Sequence, residues 1–594
     1  MTVAPPVRKY HGSVPFEHFG HTRRSIQWRA VGRKSARVRR WAARCRPAGT
    51  RRALHVNSPV IRWLGLVALC FAEMLVFVDN TIVNVALPTI ATDLGAGMSG
   101  LQMVVDMYTL VFAGLLLTGG YLGDRFGRKT VLLIGIVGFA AVSVVAAISN
   151  NLGQLIAARA GLGLFAALVF PATLAIVVIL FDDLRERAIA VATWAAVAGV
   201  AAAIGPTVGG WLLDHYSWGS IFWINVPAGA IAFVGVAVLV PQSRNLEVGP
   251  FDVGGMVLSI LGISIFVYSV IEAPNHGWLS LRTIAGLVIG SVVIAAYVVW
   301  ENRFSSPLFD VRLFRDRNFA TAAMLLTFGM FALMGFVFLM TQYFQGVKEY
   351  PPFETGIRTV PFAIAMVVFA GPGMWLGSKI GAGRVAAMGS LVMAAAFWLT
   401  IRYDMYTSYW GVIVPVMVTL ALGVALVSGP ATFAVLNELS SGQVGAGSAV
   451  NDTSRELGGT LGVAVLGSVL ASVYSAKVAD GLDAVLVPEQ ARAAATNSMM
   501  SGVHTARSIP GPTGIQLADL VKAAFLDGFH SASLVAGGVA AVAAVAGWFL
   551  LPARSHTGDA SSGAGSAQSP VASATPNNSF TIVSASNPEI LERK

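Results

Sequence analysis

The segment GYLGDRFGRK, residues 120–129, joins two apolar runs at 101–122 and 130–149. Each run is close to the roughly 20 residues that an α-helix needs to cross a bilayer. Gly123 and Gly127 permit a tight turn and close helix contact. Asp124 sits among Arg125, Arg128 and Lys129 at the point where the third run begins. A carboxylate so placed can form a breakable link between two helices. The same ten residues can also be read as a basic loop that only sets topology.

Working outward from this hairpin gives 14 apolar runs in all. The first six lie near 62–86, 101–122, 130–149, 153–178, 188–212 and 219–240. Two follow at 253–273 and 282–301, and six more at 319–342, 357–378, 384–402, 410–433, 455–475 and 530–552. Over 594 residues, 55% are hydrophobic and 12% charged, about half the charged share of a soluble domain. Only a bilayer hides so many unbroken apolar stretches, because each helix satisfies its own backbone there. The 63 glycines suit closely packed membrane helices. Trp223, Trp278, Trp300 and Trp410 lie near run ends, where an interfacial belt is expected. Cys45 and Cys70 alone make neither a disulfide framework nor a metal site, and no cofactor is expected.

Charge sets the expected orientation. Residues 1–62 carry a formal +14, which leaves −4 for the rest. The arm at 1–61 lacks a signal-peptide core and reads as a disordered cytoplasmic extension, with contact to anionic lipid as the functional alternative. Nucleic-acid binding is not expected, since no folded basic module accompanies it. Arg125, Arg128, Lys129, Arg185, Arg187, Arg244, Arg303, Arg312, Arg315, Arg317, Lys379 and Arg384 then fall on one side. That bias predicts both termini in the cytoplasm. Residues 476–529 are expected outside, with short helices around 485–500 and 515–525, and 553–594 reads as a disordered tail. A faint repeat supports two halves: LGSKIGAGR at 376–384 matches Gly123, Arg125 and Gly127 with Gly377, Lys379 and Gly381, and has Ser378 for Asp124.

The loop at 120–129 resembles the signature loop of the major facilitator superfamily. Other segments are similar to its 14-span drug:proton antiporter branch, the EmrB/QacA-like family. They are VDNTIVNVALPTI at 78–90, GVAAAIGPTVGG at 199–210, INVP at 224–227, FDVGGMVLS at 251–259, PLFDVRLFRDRNF at 307–319 and AGSAVNDTSRELGGTLGVAVLGS at 446–468. The likeness covers about 60–552. It implies an all-α integral membrane protein with a major facilitator fold. An N-terminal six-helix lobe would occupy 62–240, two inserted helices 241–318, and a C-terminal six-helix lobe 319–552. Gly205, Pro206, Gly209 and Gly210 resemble the family's antiporter motif, implying a barrier to proton leak. In the fourth run Arg159 and Gly163 fit the family pattern, whereas Leu162 and Phe165 depart from it.

Ionisable residues within the runs are functional candidates because an unpaired charge there is costly. At 1.5 Å per residue, Asp79 lies about 25 Å along the first run, while Asp106 and Arg159 lie about 8 and 9 Å into theirs. All three belong to the outer part of the bilayer, where they can form one network. A carboxylate alternately desolvated and approached by Arg159 would bind and release a proton; a permanent Arg–Asp pair holding helices together is the structural alternative. Glu73 projects about 120° from Asp79 and can attract a cationic substrate or simply pack. Asn451, Asp452, Arg455 and Glu456 form a candidate inner gate, Arg455 and Glu456 being alternatively interfacial.

Together these features predict a transporter, not an enzyme. It would export an amphipathic, often cationic compound by alternating access, driven by protons, from a bacterial cytoplasmic membrane. A monomer is the default. Export of an endogenous lipid, siderophore or metabolite is the nearest alternative, and a membrane sensor on a transporter fold a more distant one. No P-loop is present to couple ATP.

Overall fold

The computed structural model describes residues 58–550 apart from 95–97, 245–251, 305–306, 438, 440–443, 484, 486 and 498. Most of the basic arm and the tail beyond 550 lie outside the described residues. Among the described residues, fourteen helices are long and apolar enough to cross a membrane. Spans 1–6 are Pro59–Leu87, Met103–Phe126, Arg128–Ala147, Leu152–Leu180, Leu184–His215 and Ser220–Leu239. Spans 7 and 8 are Val253–Ala273 and Leu281–Arg303. Spans 9–14 are Arg317–Val347, Pro352–Ile380, Ala382–Arg402, Tyr409–Asn437, Gly447–Leu482 and Pro512–Leu550.

The side-chain distribution is that of a protein in lipid. Val238, Val292, Trp375 and Phe549 are exposed, while Glu73, Asp79, Arg159, Asp452 and Arg455 are buried. With no water in the hydrocarbon to solvate them, charges turn inward and aliphatic groups outward. Proline interrupts spans 4, 5, 10 and 12 at Pro171, Pro206, Pro361, Pro372 and Pro430. Spans 1–6 pack chiefly on one another, and so do spans 9–14, except that spans 5 and 10 each pack most heavily on the other. Spans 7 and 8 pair together, and span 7 also packs on spans 2 and 13, bridging the two sets.

The two sets meet along spans 2 and 13, 4 and 13, 5 and 12, and 5 and 10. Spans 5 and 10 share a long seam. A Cβ at Gly210 would lie 2.7 Å from the Phe353 nitrogen, and one at Gly356 would lie 2.2 Å from Thr207 Oγ1. Backbone therefore meets backbone at that end of the seam.

Three boundaries differ from the sequence expectation. Span 13 starts at Gly447, not 455, so the polar residues NDTSRE lie inside it. Their low hydropathy hides the first two turns, which the fold buries between the two sets. Span 13 also runs on to Leu482, and span 14 starts at Pro512, not 530. The segment between them holds helices Glu489–Asn497 and Met499–Ser508, so residues 515–525 extend span 14 instead of forming a separate helix.

The repeat seen in sequence has a structural counterpart. Gly127 (φ +104°) and Gly381 (φ +97°) both begin a helix from the left-handed region. Each donates its N–H to the carbonyl four residues back, Gly123 and Gly377, at 3.0 Å.

Candidate functional site

Asp79 on span 1 and Arg159 on span 4 are both fully buried and form an ion pair, Nη1 to Oδ2, of 2.6 Å. Arg159 also donates from Nε to the Val104 carbonyl at 3.0 Å, and its guanidinium lies 4.3 Å from the Tyr108 ring centroid. The other Asp79 oxygen, Oδ1, accepts from the Asn225 side-chain amide of span 6 at 2.6 Å. Asn225 donates in turn to Ser143 of span 3 at 3.1 Å, and Tyr108 donates to the Val76 carbonyl at 3.3 Å. Five spans thus converge on one carboxylate. Removing one partner from a buried pair costs about 3–5 kcal/mol, so the pieces hold each other in place.

That arrangement has a chemical consequence. Each Asp79 oxygen already accepts one hydrogen bond, so a proton on this carboxyl removes the charge that strengthens the bonds from Arg159 and Asn225. Protonation and the present geometry compete. Sequence reading placed Asp106 with Asp79 and Arg159; Arg159 and Asn225 both hydrogen-bond Asp79, and Asp106 is half-buried on span 2. Asn225, Ser143 and Tyr108 went unassigned in sequence, although an asparagine within the apolar stretch of INVP was a signal.

The glycine–proline segment of span 5 touches the same helix as Asp79. A Cβ at Gly205 would lie 2.0 Å from Thr81 Oγ1, and one at Gly209 would lie 2.6 Å from Ile82 Cγ1. Pro206 leaves the Ala202 carbonyl without its helical donor. Span 5 therefore couples the acid's helix to span 10 through Gly210.

At the basic end of span 2, Asp124 is buried and accepts from Arg128 Nε at 2.8 Å and Nη2 at 2.5 Å. It also accepts from the backbone N–H of Gly445, at the start of the helix that forms span 13, at 3.2 Å. Free N–H groups at a helix start favour a carboxylate. Arg125 donates to the Tyr121 hydroxyl at 3.2 Å, and Lys129 to the Ala237 carbonyl at 2.7 Å. The turn belongs to Gly127. Gly123 lies inside the helix with no close neighbour, and the tight approach expected of it occurs at Gly120, whose Cβ would lie 2.5 Å from the Gly445 oxygen.

A second polar cluster lies where the two sets of spans face each other. Arg455 is buried, with its guanidinium 4.8 Å from the Trp194 ring centroid and 6.0 Å from that of Phe77. Its charge acts on Glu73, Asp452 and Glu456. Asn451 donates to Asp452 at 3.0 Å. Glu73 faces this cluster and not the Asp79 network, in keeping with their angular separation along span 1. Arg455 lies two turns inside the helix of span 13 and is buried, while Glu456 is half-buried.

The sequence pattern of the Major Facilitator Superfamily matches residues 69–463. The chain belongs to the major facilitator superfamily. It is 35% identical over 492 residues to the multidrug efflux pump LfrA of Mycolicibacterium smegmatis, covering 83% of this chain and 97% of that protein. It is 34% identical to the methyl viologen resistance protein SmvA of Salmonella typhimurium, over 82% and 98% of the two chains. The crystal structure of the human organic anion transporter MFSD10 superposes with a TM-score of 0.52 at 16% identity, over 82% of this chain and 99% of that one. This major facilitator protein is thus a multi-pass membrane transporter and not an enzyme, and the fold is shared well beyond sequence likeness.

Proposed function

We propose that this chain is a proton-coupled efflux antiporter, exporting amphipathic, often cationic compounds across a bacterial cytoplasmic membrane. Relatives named for multidrug efflux and methyl viologen resistance support the substrate class. The observation that carries proton coupling is the buried Asp79, whose two oxygens are shared between Arg159 and Asn225. In this reading a proton entering from outside takes Asp79 and releases Arg159, and the loosened network lets the two six-span sets rock. Asp124 and Gly445 hold the cytoplasmic ends together until then. Gly205, Pro206, Gly209 and Gly210 keep span 5 close to span 1, which excludes a water path for protons. Both termini are cytoplasmic. On a cysteine-free background, an impermeant thiol reagent applied to intact cells should label a cysteine at the exposed Gln490 and spare one at Ala560.

Asp79→Asn tests the coupling. In proteoliposomes it should abolish accumulation driven by a pH gradient while substrate exchange, which needs no net proton movement, suffers less. A structural Asp79 would damage both alike and lower the melting temperature. Intact driven accumulation in well-folded Asp79→Asn would pass the role to Glu73 or Asp106.

A further inference from the structure

We infer that Glu73, Arg455 and Trp194 form a single two-sign binding centre whose ligand is an aromatic zwitterion. Its anionic group would sit on Arg455, its cationic group on Glu73 and its ring against Trp194. This deepens the efflux reading and rests on it for the direction of transport.

Both carboxylate oxygens of Glu73 and all three guanidinium nitrogens of Arg455 are buried without a hydrogen-bond partner. The two side chains come from opposite sides of the interface, on spans 1 and 13. They are near enough to influence one another electrostatically, yet no salt bridge joins them. By contrast, Asp79 and Arg159 are ion-paired to each other. Burying a charge without a partner costs several kcal/mol even after relaxation. Two such groups, kept apart, leave unused acceptors on Glu73 and an unused donor fork on Arg455 for a ligand that reaches both.

The sign and shape of that ligand follow from the surroundings. A simple cation would satisfy Glu73 but leave the three Arg455 nitrogens without an acceptor, and a simple anion would leave both Glu73 oxygens without a donor. Asp452 Oδ2 and Asn451 Oδ1 also lack partners, so further acceptors lie on the Arg455 side for a donor-bearing ligand. The faces of Trp194 and Phe77 flank the guanidinium, and an aromatic ring can stack there while its acidic group takes the guanidinium fork. Glu73 is completely buried, so the centre is collapsed in this conformation and opens only when the two sets of spans part.

A matched pair of dyes tests this: rhodamine B, which carries a xanthylium cation and a carboxylate, and its ethyl ester, which carries the cation alone. Fluorescence anisotropy of the full-length protein in nanodiscs reads both affinities. A charge-assisted hydrogen bond of about 1.5–3 kcal/mol predicts that the wild type prefers the zwitterion by roughly tenfold or more. Arg455→Gln should bring that ratio to about one, with Arg455→Lys, which loses the planar fork, in between. Glu73→Gln should weaken both dyes and leave the ratio standing. A wild type with no preference overturns the proposal, as does an unchanged ratio in Arg455→Gln. If Arg455→Gln does not elute as folded protein, the Arg455→Lys and Glu73→Gln ratios decide by the same criteria. Binding with the expected ratios but no pH-driven dye transport by wild-type proteoliposomes would leave the centre intact and defeat the efflux reading.

Discussion

Asn225 and Asp79 lie 146 positions apart in the chain, yet the amide of one donates to the carboxylate of the other at 2.6 Å. With Arg159 on the opposite oxygen, Asn225 decides whether the carboxylate is held from one side or two. Asn225→Ala should cost about 1–3 kcal/mol of stability, because a buried acceptor loses its donor. It should also uncouple driven flux from exchange more mildly than Asp79→Asn. Thermal melting together with the two flux assays separates these effects. Normal driven flux at reduced stability would make Asn225 a packing residue only.

Asp124 accepts from both Arg128 and the Gly445 backbone, so Asp124→Asn keeps the shape and removes the charge that favours both contacts. We expect normal expression and membrane insertion with slower turnover. Quantitative flux at matched protein levels checks this, and wild-type flux would return the loop to a topological role.

Gly205→Val should separate spans 1 and 5, since a Cβ there would lie 2.0 Å from Thr81 Oγ1. Overpacking of this kind typically costs about 1–3 kcal/mol. Driven flux should fall while proton leak rises, measured with a pH-sensitive dye in sealed vesicles. Thr81→Ala should partly restore Gly205→Ala, because the nearest opposing atom is the threonine hydroxyl. Failure of that rescue would point to the Cβ of residue 81 at 2.9 Å, which alanine retains, or to the Ile82 nitrogen at 3.3 Å.

Outside the spans, Glu349 binds Lys522 at 2.6 Å and also pairs with Arg507, tying helix Met499–Ser508 to the turn before span 10. Burial pushes the Glu349 carboxyl up, but the two cations outweigh it and hold the group below the ordinary glutamate range. A carboxylate with a lowered folded-state pKa contributes stability above its unfolded value, and that contribution is lost as pH falls through the folded one. The protection of the Met499–Ser508 amides, taken relative to the intrinsic exchange rate at each pH, should therefore fall below about pH 4.5, near the unperturbed glutamate pKa. Glu349→Gln should give fast exchange at neutral pH and flatten this dependence.

Much of this molecule was legible because its spans are apolar and its charges sparse. Depth along the helix placed Asp79 level with Arg159, and the angle between Glu73 and Asp79 foretold that they face different neighbours. What stayed hidden depends on contacts between distant segments. Nothing local tells Asn225 which carboxylate it will meet, or Trp194 that a guanidinium will lie on its face. Polar residues near a span end mislead hydropathy in a systematic way: NDTSRE reads as loop because its burial comes from other helices. At the other end of span 14, residues 512–529 are too mixed in polarity to register as membrane helix, although they continue it.

The seam between spans 5 and 10 has a mechanical meaning. Among the described residues no side-chain hydrogen bond crosses it; Gly210, Thr207, Phe353 and Gly356 meet through backbone and shape alone. Such a surface works as a dry bearing, along which one body can roll over another without first breaking directional bonds. Resistance to the stroke is then concentrated at a few discrete catches, Asp124 on Gly445 foremost among them. In the proposed antiport cycle cargo and protons need only act on those catches, and a bulky substituent in the bearing would jam the machine without touching either one.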